Sequence, residues 1–196
     1  TPERVITTYY YDNLNRQIGM SQPGTDEGGK PVVICTATIY NWEGKPLIQT
    51  DPLSTVIDAT GKPVPRTDFM GTVTTCVYNQ RGFLTQVKKT ARVHGVNTDF
   101  ITGYAYDRAG RKIAEVSPKN YEEGVLPQNA INRTEYTYDK MDRVKTRTEC
   151  FVEKVIDPET GNWSENPVRI TARAYQYDRY GNVVKELDAP GYEAGT

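Results

Sequence analysis

The sequence has few of the residues from which catalytic and metal sites are usually built: one histidine, three cysteines and two tryptophans in 196 residues. His94, in Arg92-Val93-His94-Gly95, has no second imidazole to complete a two-His metal site and no Gly-x-Ser-x-Gly elbow beside it. A His-assisted hydrolase is therefore poorly supported, and an exposed or hydrogen-bonded loop role is expected. Cys35, Cys76 and Cys150 are odd in number, far apart, and each lies in a strand-like stretch. They spell neither a disulfide framework nor a zinc site, so buried reduced thiols are expected, with one disulfide left open if the full protein is secreted.

Charge of one sign is also missing. The 24 basic and 25 acidic residues leave a net charge of -1, which removes the field that drives phosphate binding and argues against a nucleic-acid partner. No run of roughly 18 apolar residues is present, so a membrane-inserted helix is not expected. No signal peptide is recognisable, and the start at Thr1 reads as a piece cut from a longer protein. Leu, Ile, Val and Phe together supply only 39 residues. That is near the level at which disorder threatens a highly charged chain, but this chain is nearly neutral. Fourteen tyrosines make up the apolar area while each keeps a hydroxyl to satisfy, so an aromatic, hydrogen-bonded core is expected.

What is abundant is a motif, roughly Tyr-x-Tyr-Asp-x-x-Gly-Arg, that recurs six times near 9–16, 38–45, 76–83, 104–111, 136–143 and 175–182. Its second aromatic falls at Tyr11, Tyr40, Tyr78, Tyr106, Tyr138 and Tyr177, at spacings of 29, 38, 28, 32 and 39 residues, the range of stacked supersecondary units. The next residue is always Asp or Asn: Asp12, Asn41, Asn79, Asp107, Asp139 and Asp178. Such a side chain can accept bonds from the backbone of its own turn. Four positions after the aromatic stand Asn15, Gly44, Gly82, Gly110, Asp142 and Gly181, the residue types that best accept positive φ. Asp-x-x-Gly therefore predicts a type I turn closed by a left-handed residue, the three-residue hairpin with a bulge.

Val outnumbers Leu 18 to 6, and the flanks of the turns are β-rich, as in Val73-Thr74-Thr75-Cys76-Val77-Tyr78 and Arg111-Lys112-Ile113-Ala114-Glu115-Val116. No stretch has helical periodicity. Alternation along a strand puts both tyrosines of a motif on one face and residues such as Ala105, Thr137 and Gln176 on the other. Pro23, Pro52, Pro118 and Pro190 are expected to end strand pairing. The stretches 51–66 and 157–167 are expected to be loop insertions on one rim. The reading is all-β: about six antiparallel hairpins in a continuous, twisted or spiralling repeat sheet, forming a single array over 1–196.

At these residues the chain resembles the YD-repeat, or Rhs-repeat, family, whose signature is Tyr-Asp-x-x-Gly-Arg with a second Tyr two residues upstream. The copy at Tyr104-Ala105-Tyr106-Asp107-Arg108-Ala109-Gly110-Arg111 matches it at every defined position. The family includes bacterial Rhs polymorphic toxins, wall-associated proteins, C components of insecticidal toxin complexes and teneurins. The resemblance implies hairpins forming a β-sheet that spirals into a hollow shell, which in toxin members encloses a C-terminal toxic domain. It also implies that Tyr9, Tyr11, Tyr40, Tyr78, Tyr104, Tyr106, Tyr136, Tyr138, Tyr175 and Tyr177 stack along that sheet. Thr38 and Cys76 replace the first Tyr, and Phe83 and Asn182 replace the Arg, so repeats two, three and six should stack less regularly. Toxin members carry a self-cleaving Asp-Pro-x-Gly segment after the array. The pairs Asp51-Pro52 and Asp157-Pro158 lack that Gly, and no protease site carries over.

Other chemistry is weaker. One acidic residue per turn, replaced by Asn in two repeats, does not make the clustered carboxylates of a calcium loop, and no cofactor is expected. Arg16, Lys45, Arg111 and Arg143 would form a basic row, best read as cross-strand partners of Asp or Glu. Trp42 and Tyr180 fall at turn tips, where the fold requires no aromatic, and with Trp163, Tyr121 and Tyr192 they are candidates for stacking on sugar rings. The bland reading packs them on the neighbouring hairpin. The function expected is structural and non-catalytic: a segment of a large secreted or cell-surface protein, bacterial rather than eukaryotic, partnered by the rest of its shell and an enclosed domain. The alternative is an adhesion module that binds carbohydrate or protein through loops and aromatic turn tips. Open strand edges would also invite self-association of copies end to end.

Overall fold

A computed structural model describes residues 5–68 and 70–188; Pro190 and Tyr192 lie outside the described residues. The protein is built almost wholly of strands. Six hairpins pair β1 (Thr8–Tyr11) with β2 (Gln17–Thr25), β3 (Pro31–Tyr40) with β4 (Pro46–Thr50), β7 (Thr72–Tyr78) with β8 (Leu84–Val93), β9 (Val96–Tyr106) with β10 (Lys112–Val116), β11 (Arg133–Tyr138) with β12 (Val144–Ile156), and β13 (Trp163–Tyr177) with β14 (Val183–Asp188). Hydrogen-bonded neighbours follow chain order along one twelve-stranded sheet, so every repeat pairs with the next. The remaining strands, β5 (Thr55–Ile57) and β6 (Pro63–Pro65), form a small sheet of their own.

Each motif makes the same turn. The N–H of the Asp or Asn donates to the carbonyl of the residue four positions on, and the N–H of the left-handed residue donates back to the Asp or Asn carbonyl, as in Asp12 with Arg16 and Asn15 with Asp12, both at 3.0 Å. Asn15 and Asp142 have φ of 59° and 61°, and the four glycines of that column lie between 76° and 91°. The turn twists the returning strand, and one residue there is left without an opposite number. Ile18, Leu47, Ile113, Lys145 and Val184 are each skipped by the pairing register.

Two compact units divide the chain, Thr1–Tyr78 with Gln86–Phe100, and Asn79–Thr85 with Ile101–Thr196. In the first, residues 51–66 are not a rim loop as expected. Pro52 ends β4 and opens a 3-10 turn, and β5 and β6 then lie on β2 and β3. Ser54 and Thr55 are buried, and the hydroxyls of Thr50 and Thr55 bond at 2.6 Å. In the second unit Pro118 likewise ends β10 and opens a 3-10 turn, and Pro127 and Tyr121 come to rest on Gly103. Pro23, by contrast, does not end pairing: it sits within β2 opposite Val33. The second expected loop is also corrected. Residues 163–167 belong to β13, pairing runs out to Ile156 opposite Trp163, and only 157–162 form a turn.

Among the described residues the buried apolar ones are small: Cys35, Ala37, Ala105, Ala114, Val116, Ala130, Cys150 and Ala174. The expectation of an aromatic core is thus overturned. Segments laid on the sheet leave room for small side chains beneath them, and the column tyrosines occupy the opposite face. Tyr9 and Tyr11 are exposed there and the other eight column tyrosines are half-buried.

Candidate functional site

The motif residues converge at the boundaries between repeats, where one arrangement recurs. The turn carboxylate first organises its own hairpin. Asp12 Oδ1 accepts from the N–H groups of Leu14 and Arg16, both at 2.9 Å, and its Oδ2 accepts from Arg16 Nε at 2.7 Å. Asp139 does the same with Met141 and Arg143, and Asn41 and Asn79 keep the backbone half of the scheme. Fixed in this way, the guanidinium extends to the next repeat. Arg16 lies 5.0 Å from the ring centre of Tyr40 and donates to the Asn41 carbonyl at 3.0 Å. Arg143 lies 4.4 Å from the Tyr177 ring centre and donates to the Asp178 carbonyl at 3.1 Å. Arg111 lies 4.9 Å from that of Tyr138 and pairs with Asp142 at 2.6 Å. Lys45 takes this position over Tyr78 at 5.6 Å.

The tyrosine hydroxyl closes the boundary in the opposite direction. Tyr40 donates to the Gln17 carbonyl at 2.8 Å, Tyr78 to Pro46 at 2.9 Å, Tyr138 to Lys112 at 2.6 Å and Tyr177 to Val144 at 2.7 Å. Each acceptor is the residue after the cation of the preceding repeat. Cation over ring and hydroxyl to carbonyl both tie one repeat to the next, a cation–π contact contributing about 0.5–2 kcal/mol and a hydrogen bond about 1 kcal/mol. In the first Tyr column, Lys112 Nζ lies 5.6 Å from the ring centre of Tyr104 and 4.5 Å from that of Tyr136 while pairing with Glu115.

Of the basic row expected to pair across strands, Arg16, Arg111 and Arg143 pair first with the acid four residues back in their own turns, Lys45 pairs with Glu43, and Arg111 alone also pairs with an acid of the next repeat, Asp142. Sequence reasoning also missed the repair of repeat three. Phe83, in the cation's place, stacks on Tyr106 with ring centres 5.1 Å apart and planes at 23°. Arg81, two residues earlier, supplies the guanidinium, donating to the Arg108 carbonyl at 2.7 Å. Missed too were turns of the same kind at 26–30 and 58–62, although Asp26-Glu27-Gly28-Gly29-Lys30 and Asp58-Ala59-Thr60-Gly61-Lys62 have the signal Asp-x-x-Gly-Lys.

Hydrogen bonds to the charged form hold the turn carboxylates below the usual range. For Asp12 and Asp107 the largest cause is the backbone N–H four residues on, for Asp139 and Asp178 the side chain at that place. A carboxyl with a depressed folded value stabilises the fold above its unfolded value, and that contribution is lost as pH falls through the folded one. The melting temperature is expected to be flat from neutral pH to about pH 5 and to fall below about pH 4. Asp139→Asn should shallow that acid slope in a thermal scan against pH; an unchanged slope would contradict this role.

The other candidates are dispersed. Trp42, Tyr180 and Trp163 are 89%, 75% and 66% exposed, so packing on a neighbouring hairpin does not account for them. Arg179 lies over the Tyr180 ring at 4.5 Å. Tyr121 packs on Gly103. His94, with φ of 49°, sits exposed in the tight turn between β8 and β9. Burial pushes the thiols of Cys35, Cys76 and Cys150 up, and none is in a disulfide. Among the described residues no three His, Cys, Asp or Glu gather closely enough to hold a metal, and no helix is long and apolar enough to cross a membrane. An open groove of about 640 Å³ lined by Val32, Val33, Pro52 and Leu53 and another of about 350 Å³ lined by Ile131, Phe151, Pro167 and Arg169 contain no motif-column residue.

No family model matches the sequence, and no curated protein matches it. Solved structures do. The crystal structure of TcdB2-TccC3-TEV is similar with a TM-score of 0.56 and 18% identity, covering 95% of this chain and 8% of that one. That of TcdB2-TccC3-Cdc42 gives a TM-score of 0.55 and 18% identity with the same coverage. At this identity the likeness shows a shared fold, and the chain spans about a twelfth of the length of those it matches.

Proposed function

We propose that this chain is a non-catalytic wall segment of a large secreted or surface YD-repeat protein, one stretch of a β-shell that encloses or presents an effector domain. The observation that carries the reading is the repeat boundary. At four boundaries the cation and the tyrosine of successive motifs are engaged in joining one hairpin to the next, which serves a continuous wall. Small residues on the opposite face, with segments laid over them, thicken the wall. The shared fold with a short stretch of two TcdB2-TccC3 structures and the YD-type motifs support the same reading. Its partners are then the adjoining repeats and the enclosed domain, and no cofactor is required.

Electron cryomicroscopy of the longer protein tests this. The twelve strands should lie within a closed wall around internal density; an isolated stalk with no enclosed volume would sink the reading. Exposure of Trp42 and Tyr180 keeps a second reading open, a surface module that binds carbohydrate through its turn tips. A glycan array should then give signals that Trp42→Ala and Tyr180→Ala abolish while the melting temperature stays within about 1 °C, as expected for exposed side chains. An empty array would leave adhesion without support.

A further inference from the structure

We propose that the second unit carries a binding site for one neutral sugar ring, in a polar basin on the tyrosine-bearing face where β10, β11 and β12 run side by side. The inference goes beyond the shell reading and does not rest on it. Glu115 stands opposite Thr134, and Thr134 opposite Glu149, so three side chains form one row across the strands. Two positions beyond them, the alternation of side chains brings Ser117, Asn132 and Phe151 to the same pocket. Asn120, from the 3-10 turn Pro118–Asn120, closes one side, its Nδ2 donating to Ser117 Oγ at 3.2 Å. The basin measures about 210 Å³, less than a drug-sized ligand needs and suited to a single small ring.

The corresponding place in the first unit is closed. There too a Pro opens a 3-10 turn directly after a strand, but the residue before it is Asp51. Its carboxylate accepts from the N–H of Ser54 at 3.0 Å and from that of Thr72 at 2.7 Å, and Gly71 lies directly against it. In the second unit Ser117 holds this position and its side chain does not cap the turn. Where one unit has a carboxylate that fills the space, the other has a short hydroxyl that leaves it open.

The polar inventory selects the ligand. Each carboxylate already has a cation, Lys112 on Glu115 at 2.6 Å and Arg147 on Glu149 at 2.5 Å. A free cation therefore finds no unbalanced charge, and an anion is repelled by two acids. Acceptor capacity remains, because Thr134 Oγ1 donates to only one oxygen of Glu149, at 2.9 Å, and a carboxylate oxygen can accept more than once. Asn132 Oδ1 accepts from the Val152 N–H at 3.2 Å, which leaves its Nδ2 to donate. Hydroxyl groups both donate and accept, so several on one ring can satisfy carboxylates and amide together. Phe151, 37% exposed, adds an apolar wall for the C–H face of that ring.

Saturation-transfer NMR on the full chain tests this, with glucose, galactose, mannose and N-acetylglucosamine as probes. At least one should bind one to one with a dissociation constant on the order of 1 mM, as expected for so few ligand atoms, and roughly tenfold more weakly to Glu149→Ala. Ser117→Asp, which supplies the carboxylate of the first unit, should abolish binding while the melting temperature stays at or above the native value, so that lost binding is not lost folding. Trp42→Ala and Tyr180→Ala should leave binding unchanged, which separates the basin from the turn tips. Calcium chloride and spermidine serve as cation probes. No transfer to any of these sugars, binding that survives Ser117→Asp, or tighter binding of either cation than of every sugar would overturn the proposal. Each of those results leaves the shell reading standing, because that is decided by the architecture of the longer protein.

Discussion

Gly19→Ala is expected to destabilise the first unit by about 3 kcal/mol, lowering its melting temperature by roughly 6–12 °C. Gly19 lies in β2 beneath the segment that contains β5 and β6. An added Cβ would overlap the Thr36 carbonyl oxygen, a backbone atom that cannot rotate aside, and would come within 2.5 Å of Pro63 Cγ. Relief requires either a shift of β2 against β3 or lifting of Pro63, and with it the β5–β6 pair from its seat. The second route is open to direct observation. Limited proteolysis should cut at the 58–62 turn faster in Gly19→Ala than in the native protein, while sites in the second unit keep their rates. An unchanged melting temperature together with unchanged cleavage would mean that this close approach is not a constraint.

Tyr138→Ala should cost about 2–3 kcal/mol, below the range for a fully buried ring because the side chain is only half-buried. The substitution removes three things: ring area, the platform beneath Arg111 at 4.9 Å, and the donor to the Lys112 carbonyl at 2.6 Å. Tyr138→Phe separates them. It retains the ring and the platform, and should cost only about 1 kcal/mol for the lost hydrogen bond. A double-mutant cycle of Arg111→Ala with Tyr138→Ala should give a coupling of about 0.5–1 kcal/mol, measured by denaturant unfolding. Additive effects would show that guanidinium and ring do not stabilise one another, and the description of the boundary would have to rest on strand pairing alone.

Thermal or chemical unfolding of these variants will report on two compact units, so a single transition should not be assumed. Reading Gly19→Ala and Tyr138→Ala against each other has value for that reason, since one lies in each unit. If each substitution moves a separate part of the transition, the units unfold with some independence.

The turns were legible in the sequence because their chemistry is local. A side chain that accepts from its own backbone and a residue that tolerates positive φ four positions after the aromatic are both written in eight residues, and hence Asp12, Asn15, Asp107 and Gly110 could be assigned without any tertiary knowledge. The all-β class and the six hairpins followed from the same punctuation. Pairing order was legible as well, since short turns leave successive strands side by side. What the sequence could not disclose was which face would be buried. Tyrosine is the largest apolar mass in the chain, and composition alone put it in the core. Only the tertiary structure decided that segments 51–66 and 118–130 fold down onto the opposite face, where Pro63, Pro127 and Tyr121 close on Gly19 and Gly103 and the buried neighbours are small residues such as Ala37, Ala105 and Ala114. The role of the basic column was hidden for a related reason. Arg16 meets Asp12 within one turn, but its second partner, Tyr40, is brought to it by strand pairing between repeats, a relation fixed by register in space rather than by spacing in the chain.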